Sequence, residues 1–196
     1  MRMFVAGATG VIGIRVLPLL VAQGHIVAGM TRSNGKIDEL ARLGATPVVC
    51  DVFDADALRT AVTSFAPDVV MHQLTDLPDR IDQLPQFASR NDRMRTEGTR
   101  NLVEAAQMTG ARHFLAQSIA WRPPGRGDAV EQHERQVLDA GGVVVRYGQL
   151  YGPGTFYEDR RPPPPRIHVE AAAEATPPLI TTPSGIIVLA EDSGGG

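Results

Sequence analysis

Three glycines that follow the first apolar run constrain this chain more than any other feature. Met3–Ala6 is an apolar stretch of strand length, and Gly7, Gly10 and Gly13 follow it just before an apolar, helix-like segment. Gly7 lets the chain leave the strand in a conformation that a Cβ would oppose. Gly10 lets backbone approach a pyrophosphate, and Gly13 lets the helix pack close to the sheet. Because a helix N-terminus offers free N–H groups and a positive dipole end to phosphates, the stretch predicts a dinucleotide site.

Strand-like and helix-like segments alternate after this point, which is typical of a parallel sheet covered by helices. The run Val69–Met71 is apolar throughout, as in a strand buried on both faces. We therefore predict an α/β fold with a doubly wound parallel sheet. The predicted strands are Met3–Ala6, Ile26–Met30, Thr46–Cys50, Asp68–His72, His113–Gln117, Gly142–Tyr147 and Ser184–Ala190, and the predicted helices are Val11–Gln23 (with Pro18 bending it), Ile37–Leu43, Ala55–Phe65 and Asn91–Thr109.

Composition excludes several function classes. With 196 residues, 43% of them hydrophobic, the chain can form a full core, and its net charge of −3 offers no basic field for nucleic acid. The single cysteine, Cys50, excludes an internal disulfide, and no Cys/His cluster indicates a metal site. No apolar run is long enough for a membrane span, so we expect a cytoplasmic protein without a membrane or nucleic-acid partner.

Two further segments carry a family resemblance. Arg95–Val103 resembles an N-x-x-G-T-x-N-L-L pattern, and Arg146–Thr155 resembles an L-R-x-x-x-x-Y-G-P-G pattern. Together with the glycine spacing, they resemble the extended branch of the short-chain dehydrogenase/reductase superfamily, the NAD(P)-dependent epimerases and dehydratases. The resemblance implies a Rossmann-like domain over residues 1–155. Residues 156–196 would be a shortened remnant of the C-terminal substrate lobe and not an independent domain.

The residue after the second strand indicates which cofactor is bound. A carboxylate there binds the ribose 2′-hydroxyl of NAD, whereas an arginine accommodates the 2′-phosphate of NADP. Arg32 occupies this place, with Lys36 near and no acid adjacent in the sequence, which favours NADP with NAD as the alternative. The structural alternative is a solvated surface arginine.

The resemblance implies the rest of the cofactor site. Asp51 and Val52 would hold the adenine ring, although Asp54 nearby also reads as the cap of the next helix. The loop after the fourth strand would pass beside the cofactor, with His72 more structural than catalytic, and Pro78–Gln86 is predicted as a loop at the edge of the substrate cleft. The predicted cofactor-binding residues are Gly7, Thr9, Gly10, Val11, Ile12, Gly13, Arg32, Asp51, Val52, Gln73, Leu74 and Gln117.

The catalytic residues of the superfamily are only partly present. Ser118 follows the predicted fifth strand, where the family has its serine, but no Tyr-x-x-x-Lys exists and the only lysine is Lys36. Tyr151 is the predicted catalytic substitute. His133 is a weaker one that an exposed helix histidine explains as well, and Glu131 and Glu134 are interpreted as a solvated face.

Departures from the family leave the function open between two classes. The family asparagine is replaced by Arg95, so the site either binds an anion there or has lost a polar contact. Two segments are shortened, between Trp121 and Asp128 and after the proline run Arg160–Pro165. We predict an epimerase/dehydratase-like oxidoreductase acting on a sugar nucleotide or a small carbonyl or alcohol. The resemblance also implies a homodimer, which members of the superfamily often form. The alternative is an inactive NADP(H)-binding sensor or regulator, or a decayed gene product.

Overall fold

Seven parallel strands form one sheet in a computed structural model that describes residues 1–121 and 127–191. The order is β3-β2-β1-β4-β5-β6-β9, with all six pairings parallel. The chain therefore winds outward from β1 in one direction and from β4 in the other, which makes the sheet doubly wound as predicted. The strands are β1 (Arg2–Ala6), β2 (Ile26–Thr31), β3 (Thr46–Val49), β4 (Val69–His72), β5 (His113–Ile119), β6 (Val143–Tyr147) and β9 (Gly185–Leu189).

Helices cover the sheet because both of its faces are apolar. In β1, Met3 and Val5 lie in one buried cluster, whereas Phe4 and Ala6 lie in a second cluster on the opposite face. This alternation follows from the two-residue period of a strand. The helices are α1 (Gly13–Ala22), α2 (Ile37–Arg42), α3 (Ala55–Phe65), α4 (Leu84–Arg93), α5 (Thr99–Thr109), α6 (Gly127–Asp139) and α7 (Val169–Ala175). Pro18 lies on the exposed side of α1, which continues through it.

Three sequence predictions about element bounds need correction. The region Pro78–Gln86, predicted as a loop, already begins α4 at Leu84. The long helix predicted from Asn91 therefore starts earlier, and a π-helical segment, Met94–Gly98, joins α4 to α5. Strand β5 runs on to Ile119, so Ser118 lies within the strand and not after it. A π segment widens the helix locally and is often found beside a functional site.

The C-terminal part of the chain also joins the sheet. Two short strands, β7 (Gln149–Tyr151) and β8 (Arg166–His168), form a separate parallel pair before α7. Strand β9 then adds to the main sheet beside β6. The division at residue 155 stays a prediction. The predicted shortening between Trp121 and Asp128 and the final Ser193–Gly196 fall on segments outside the described residues.

No helix within residues 1–121 and 127–191 is long and apolar enough to cross a membrane.

Candidate cofactor and substrate site

The glycine loop lies where β1 and β4 are adjacent and the direction of winding changes, which is where doubly wound folds bind ligands. Gly7 has a φ of +87°, and a Cβ there would lie 2.5 Å from the main-chain carbonyl of Gln73. A Cβ on Gly13 would lie 2.2 Å from the carbonyl oxygen of Gly7. These two glycines are thus required by the packing of the loop itself. Exposed Gly10 differs, because its Cβ would lie 3.3 Å from the Gly7 oxygen and 3.9 Å from the Gln73 oxygen, with no closer contact.

We call Gly7, Gly10 and Gly13, with the amides that follow them, the glycine cradle. Its main-chain amides are free at the start of α1. The main-chain N–H of Gly10 donates to the Gly7 carbonyl at 3.0 Å, which closes the turn. By contrast, no acceptor is present among the described residues for the N–H groups of Val11 and Ile12, just before α1. The first turn of α1 holds no acidic side chain that would repel an anion. An open face at Gly10 and free amides at a helix N-terminus fit the pyrophosphate of a nicotinamide dinucleotide.

Three hydrogen bonds hold the loop after β4 beside the glycines. Gln73 donates its main-chain N–H to Ala6 at 2.8 Å, and Leu74 donates its own to Nδ1 of His72 at 3.2 Å. The Gln117 side chain donates to the Leu74 carbonyl at 3.2 Å. The amide nitrogen of Gln73 is buried without an acceptor among the described residues. The fold therefore brings Gln73, Leu74 and Gln117 together.

Arg32 has an acidic neighbour that the sequence did not reveal. One of its terminal nitrogens lies 3.5 Å from Oδ1 of Asp76, a buried carboxylate of the loop after β4. Asp76 has a better partner in Arg90, which donates to both carboxylate oxygens at 3.1 Å. Because the Arg32 side chain is 44% exposed and its contact is long, it remains able to contact a ligand at the end of β2.

The loop after β3 is fixed by contacts within the chain. Asp51 accepts a hydrogen bond from the Phe53 amide at 3.0 Å, and the buried side chain of Asn101 donates to the Val52 carbonyl at 2.9 Å. Asp54 accepts from the Ala57 amide, which confirms it as the cap of α3. Asn101 was not among the predicted site residues, although it belongs to the segment that carried the family resemblance. Its position in that segment was the available signal.

Ser118 is tied to a buried ion pair. Its hydroxyl donates to Oε1 of Glu134 at 2.6 Å, while Arg146 donates to both oxygens of that carboxylate at 2.8 and 2.5 Å. Burial raises the pKa of Glu134, but the hydrogen bonds from Arg146 and Ser118 outweigh it, and the net shift is downward. The register of the sheet places Ser118 opposite Arg146. The prediction of a solvated Glu134 is therefore wrong, because α6 turns this side chain onto β5.

A second buried chain of hydrogen bonds runs through two histidines. Nε2 of His133 lies 2.9 Å from the Gln117 carbonyl and can only donate there, so its Nδ1 accepts from the Thr99 hydroxyl at 2.7 Å. The Thr99 oxygen then accepts from Nε2 of His72 at 3.0 Å. His72 in turn accepts from the Leu74 amide. Both rings are neutral in this arrangement, and each nitrogen has one partner.

The histidines are held neutral by burial. Desolvation lowers the pKa of His133 to about 4 and that of His72 well below its usual range. The interpretation of His133 as an exposed helix residue is wrong, since only 1% of its surface is accessible. With both nitrogens engaged, it links α6 to β5 and α5. His72 has the structural role expected from the sequence.

The hydroxyl groups of Tyr151 and Tyr147 also form hydrogen bonds with other side chains. The Tyr151 hydroxyl donates to Glu191, whose other oxygen pairs with Arg166, and the bond to Glu191 raises the pKa of Tyr151. The Tyr147 hydroxyl lies 2.7 Å from that of Thr176, and burial raises its pKa to about 12. Among the described residues no contact joins Tyr151 to Ser118. The two hydroxyls predicted to be catalytic thus donate hydrogen bonds to different carboxylates, Glu134 and Glu191.

A model of the NAD(P)H-binding family matches residues 7–140, from Gly7 to the residue that follows α6. That span contains the three glycines, the loops after β2, β3 and β4, and both Ser118 and Glu134. The chain belongs to this NAD(P)H-binding family.

Curated relatives of this NAD(P)H-binding protein are longer than the chain. A 3-diazoavenalumate denitrifying reductase of a Streptomyces species is 41% identical over 182 residues, covering 80% of this chain and 59% of its own. A UDP-glucose 4-epimerase of Mycolicibacterium smegmatis is 33% identical over 122 residues, covering 59% of this chain and 37% of its own. The chain therefore spans about three fifths or less of the length of these two relatives.

Solved structures share the fold. The UDP-glucose 4-epimerase of Thermus thermophilus, solved with NAD, superposes with a TM-score of 0.80 at 19% identity, covering 97% of this chain and 78% of its own. The Bordetella bronchiseptica enzyme WbmH, solved with NAD⁺, gives 0.76 at 17% identity, with coverages of 97% and 75%. These likenesses confirm the predicted Rossmann-like fold.

Proposed function

We propose that this protein binds NADP(H) and acts as a reductase on a small molecule. The observation that carries the proposal is the glycine turn, in which Gly10 is exposed to solvent beside the free amides of Val11 and Ile12. A bound nicotinamide dinucleotide supplies a hydride, chemistry that no side chain can provide. The name of the Streptomyces relative supports a reductase, while the Mycolicibacterium relative keeps epimerase chemistry as the related alternative.

Each part of the cofactor has candidate partners in the chain. The amides of Val11 and Ile12, with Thr9 and the three glycines, would hold the pyrophosphate. Arg32 would bind the 2′-phosphate, since its side chain is half exposed and only loosely held by Asp76. Asp51 and Val52 would border the adenine, and Gln73, Leu74 and Gln117 would border the nicotinamide end, where Gln73 has a buried nitrogen that lacks an acceptor.

Ser118 and Tyr151 remain the proposed catalytic hydroxyls. Each donates its proton to a carboxylate, Glu134 or Glu191. Because an acceptor carboxylate stabilises the protonated hydroxyl, neither is set up to give a proton to substrate unless that bond changes. The Arg146 contact keeps Glu134 ionised, so Ser118 would serve best by orienting substrate through its oxygen.

This observation also supports the second candidate, an NADP(H)-binding protein without turnover. Val130 stands where a catalytic tyrosine would be expected on α6, and Ser118 is tied to Glu134. A regulator needs the cradle but not a free acid, so cofactor affinity with no turnover is what separates the two candidates.

Calorimetric titration with NADPH and NADH tests the proposal, with a thermal melt of each mixture. We expect NADPH to bind more tightly and to raise the melting temperature, since a ligand at about 100 times its Kd stabilises the folded state by roughly 2.7 kcal/mol. Oxidation of NADPH with small aldehydes and ketones would then favour the reductase. Binding without oxidation would favour the regulator, and no binding to folded protein would refute both.

We further propose a cytoplasmic homodimer. The reduced, buried Cys50 is compatible with a reducing compartment, and exposed Met108 on α5 offers an apolar contact. Light scattering at several concentrations, on wild type and on Met108→Lys, tests the dimer. A monomer at every concentration would refute it.

A further inference from the structure

Arg95 is a buried cation whose charged group has no hydrogen-bond or ion-pair partner among the residues that the structure describes. It lies in the π-helical segment Met94–Gly98, and only 9% of its surface is accessible. Across residues 1–121 and 127–191, no hydrogen bond or ion pair involves its guanidinium group. A buried charge is normally paired, because removing it from water costs several kcal/mol. Its position therefore needs a reason beyond packing.

The neighbouring acidic groups do not supply that partner. Glu134 attracts Arg95 over a distance, but its two oxygens already accept from Ser118 and Arg146. Asp92 attracts Arg95 as well, and has an interaction of its own. His72 and His133 are neutral, so they add no negative charge. Glu134 and Asp92, the two acidic groups near Arg95, therefore both have interactions with other groups.

The guanidinium group still has access to solvent. Sealed polar side-chain atoms without a hydrogen-bond partner occur, among the described residues, on Gln73 and Gln136 and not on Arg95. The unpaired nitrogens of Arg95 are therefore reachable from outside, although the rest of the side chain is covered. The charge of Arg95 also acts on His72, at the carboxyl end of β4, and on His133, which is bonded to Gln117 of β5. This end of the sheet is the cofactor edge.

We propose that Arg95 binds a carboxylate of the substrate. A guanidinium group offers parallel N–H donors that match the two oxygens of a carboxylate, and the contact is strong when it is shielded from water. A single, largely covered guanidinium group suits a flat carboxylate better than a phosphate, which usually needs several donors. The inference rests on the proposed function, since it assigns a substrate class to the same site.

Binding of a matched pair of probes tests the assignment. Benzoate and benzamide have nearly the same shape but differ in charge, and inorganic phosphate tests the other common anion. Each is titrated by calorimetry or NMR into the full chain saturated with NADPH. We expect benzoate to bind at least tenfold more tightly than benzamide and phosphate. Equal binding of benzoate and benzamide would overturn the inference, and a preference for phosphate would overturn the carboxylate class.

Three variants locate the effect. Arg95→Met should abolish the preference for benzoate. Arg95→Lys keeps the charge but loses the parallel N–H donors of the guanidinium group, so it should reduce the preference several-fold. Arg100→Met removes an exposed arginine from the same helical stretch and should leave the preference intact. A preference that persists in Arg95→Met would overturn the inference.

Stability separates binding from a purely structural role. Arg95→Met removes an unpaired buried charge, so we expect its melting temperature without ligand to equal or exceed that of wild type. A fall of several degrees, or failure to fold, would show that Arg95 is structural and overturn the inference. The NADPH titration is independent: wild type that does not bind NADPH defeats the proposed function. NADPH binding without a benzoate preference defeats only the role of Arg95.

Discussion

Ser118 of β5 donates its hydroxyl proton to Glu134 of α6 over 2.6 Å, inside an ion pair that Arg146 completes from β6. The contact joins a residue predicted to be catalytic with one predicted to be solvated. A bidentate arginine–carboxylate pair now holds the helix against the sheet.

Removing the charge of Glu134 should destabilise the fold. In Glu134→Gln the guanidinium group of Arg146 loses its carboxylate and Ser118 loses a charged acceptor. Because Arg146 is 37% exposed, we expect a loss of about 2 kcal/mol in the free energy of unfolding, below that of a fully buried pair. Urea denaturation measures it, with exposed Glu104→Gln as the control, which should stay within about 0.5 kcal/mol. Equal stability of both variants would show that the pair contributes little.

Stability should fall in mild acid because His133 and His72 are buried neutral. The folded pKa of His133 is about 4, against 6.5 for an ordinary histidine, so the unfolded chain binds protons that the folded chain excludes. The stabilisation is complete above pH 6.5 and is lost as the pH falls towards 4. Between pH 7.5 and 5, His133 alone should account for roughly 2 kcal/mol, with His72 adding to the loss.

Urea denaturation at a series of pH values measures this dependence, with His133→Gln as the matched variant. Glutamine can donate to the Gln117 carbonyl but does not titrate, so its stability should depend less steeply on pH. An identical slope in wild type and variant would mean that His133 is not the group responsible.

Arg32 should decide between the two cofactors. Arg32→Gln removes the charge proposed to bind the 2′-phosphate, so NADPH should bind at least tenfold more weakly, about 1.4 kcal/mol, while NADH binding changes little. Lys36→Gln is the control, since Lys36 is already paired with Glu39 at 2.7 Å. Calorimetry measures both affinities. Equal losses for NADPH and NADH would refute the role of Arg32.

The glycines should separate binding from folding. A Cβ at position 10 has only one close contact at 3.3 Å, so Gly10→Ala should fold with nearly normal stability and lose most of its NADPH affinity. A Cβ at position 13 lies 2.2 Å from a main-chain oxygen, so Gly13→Ala should unfold at a markedly lower temperature. A thermal melt and an NADPH titration of each variant are needed. Gly10→Ala that binds NADPH normally would remove the central argument for the cradle.

Local patterns predicted the fold well because they act over short distances. The glycine spacing and the uniformly apolar run of β4 indicated a doubly wound sheet, and the position of Asp54 predicted a helix cap that the structure contains. These features depend on neighbouring residues and on strand and helix periods. The bounds were less exact, as at Leu84, where α4 begins within a predicted loop.

The positions of site residues along the chain were predictable, but their neighbours in space were not. The sequence placed Arg32 after β2 but could not show Asp76, which lies 44 positions away and comes beside it only through the packing of β2, β1 and β4. Thr99 gave no signal of its own, although it connects two histidines across three elements. The assignments of Ser118 and Tyr151 to catalysis stay predictions.

The sequence by itself determined the seven strands of the parallel sheet, the glycine turn before α1 and the NAD(P)-binding character of the chain, because these follow from local backbone preferences and short motifs. Only the tertiary structure decided that Glu134, His133 and Arg95 are buried. The physical reason is that burial and pairing depend on which surfaces meet when α6 packs on β5 and on the π-helical segment. The spacing of residues along α6 does not specify which surfaces of the protein that helix packs against.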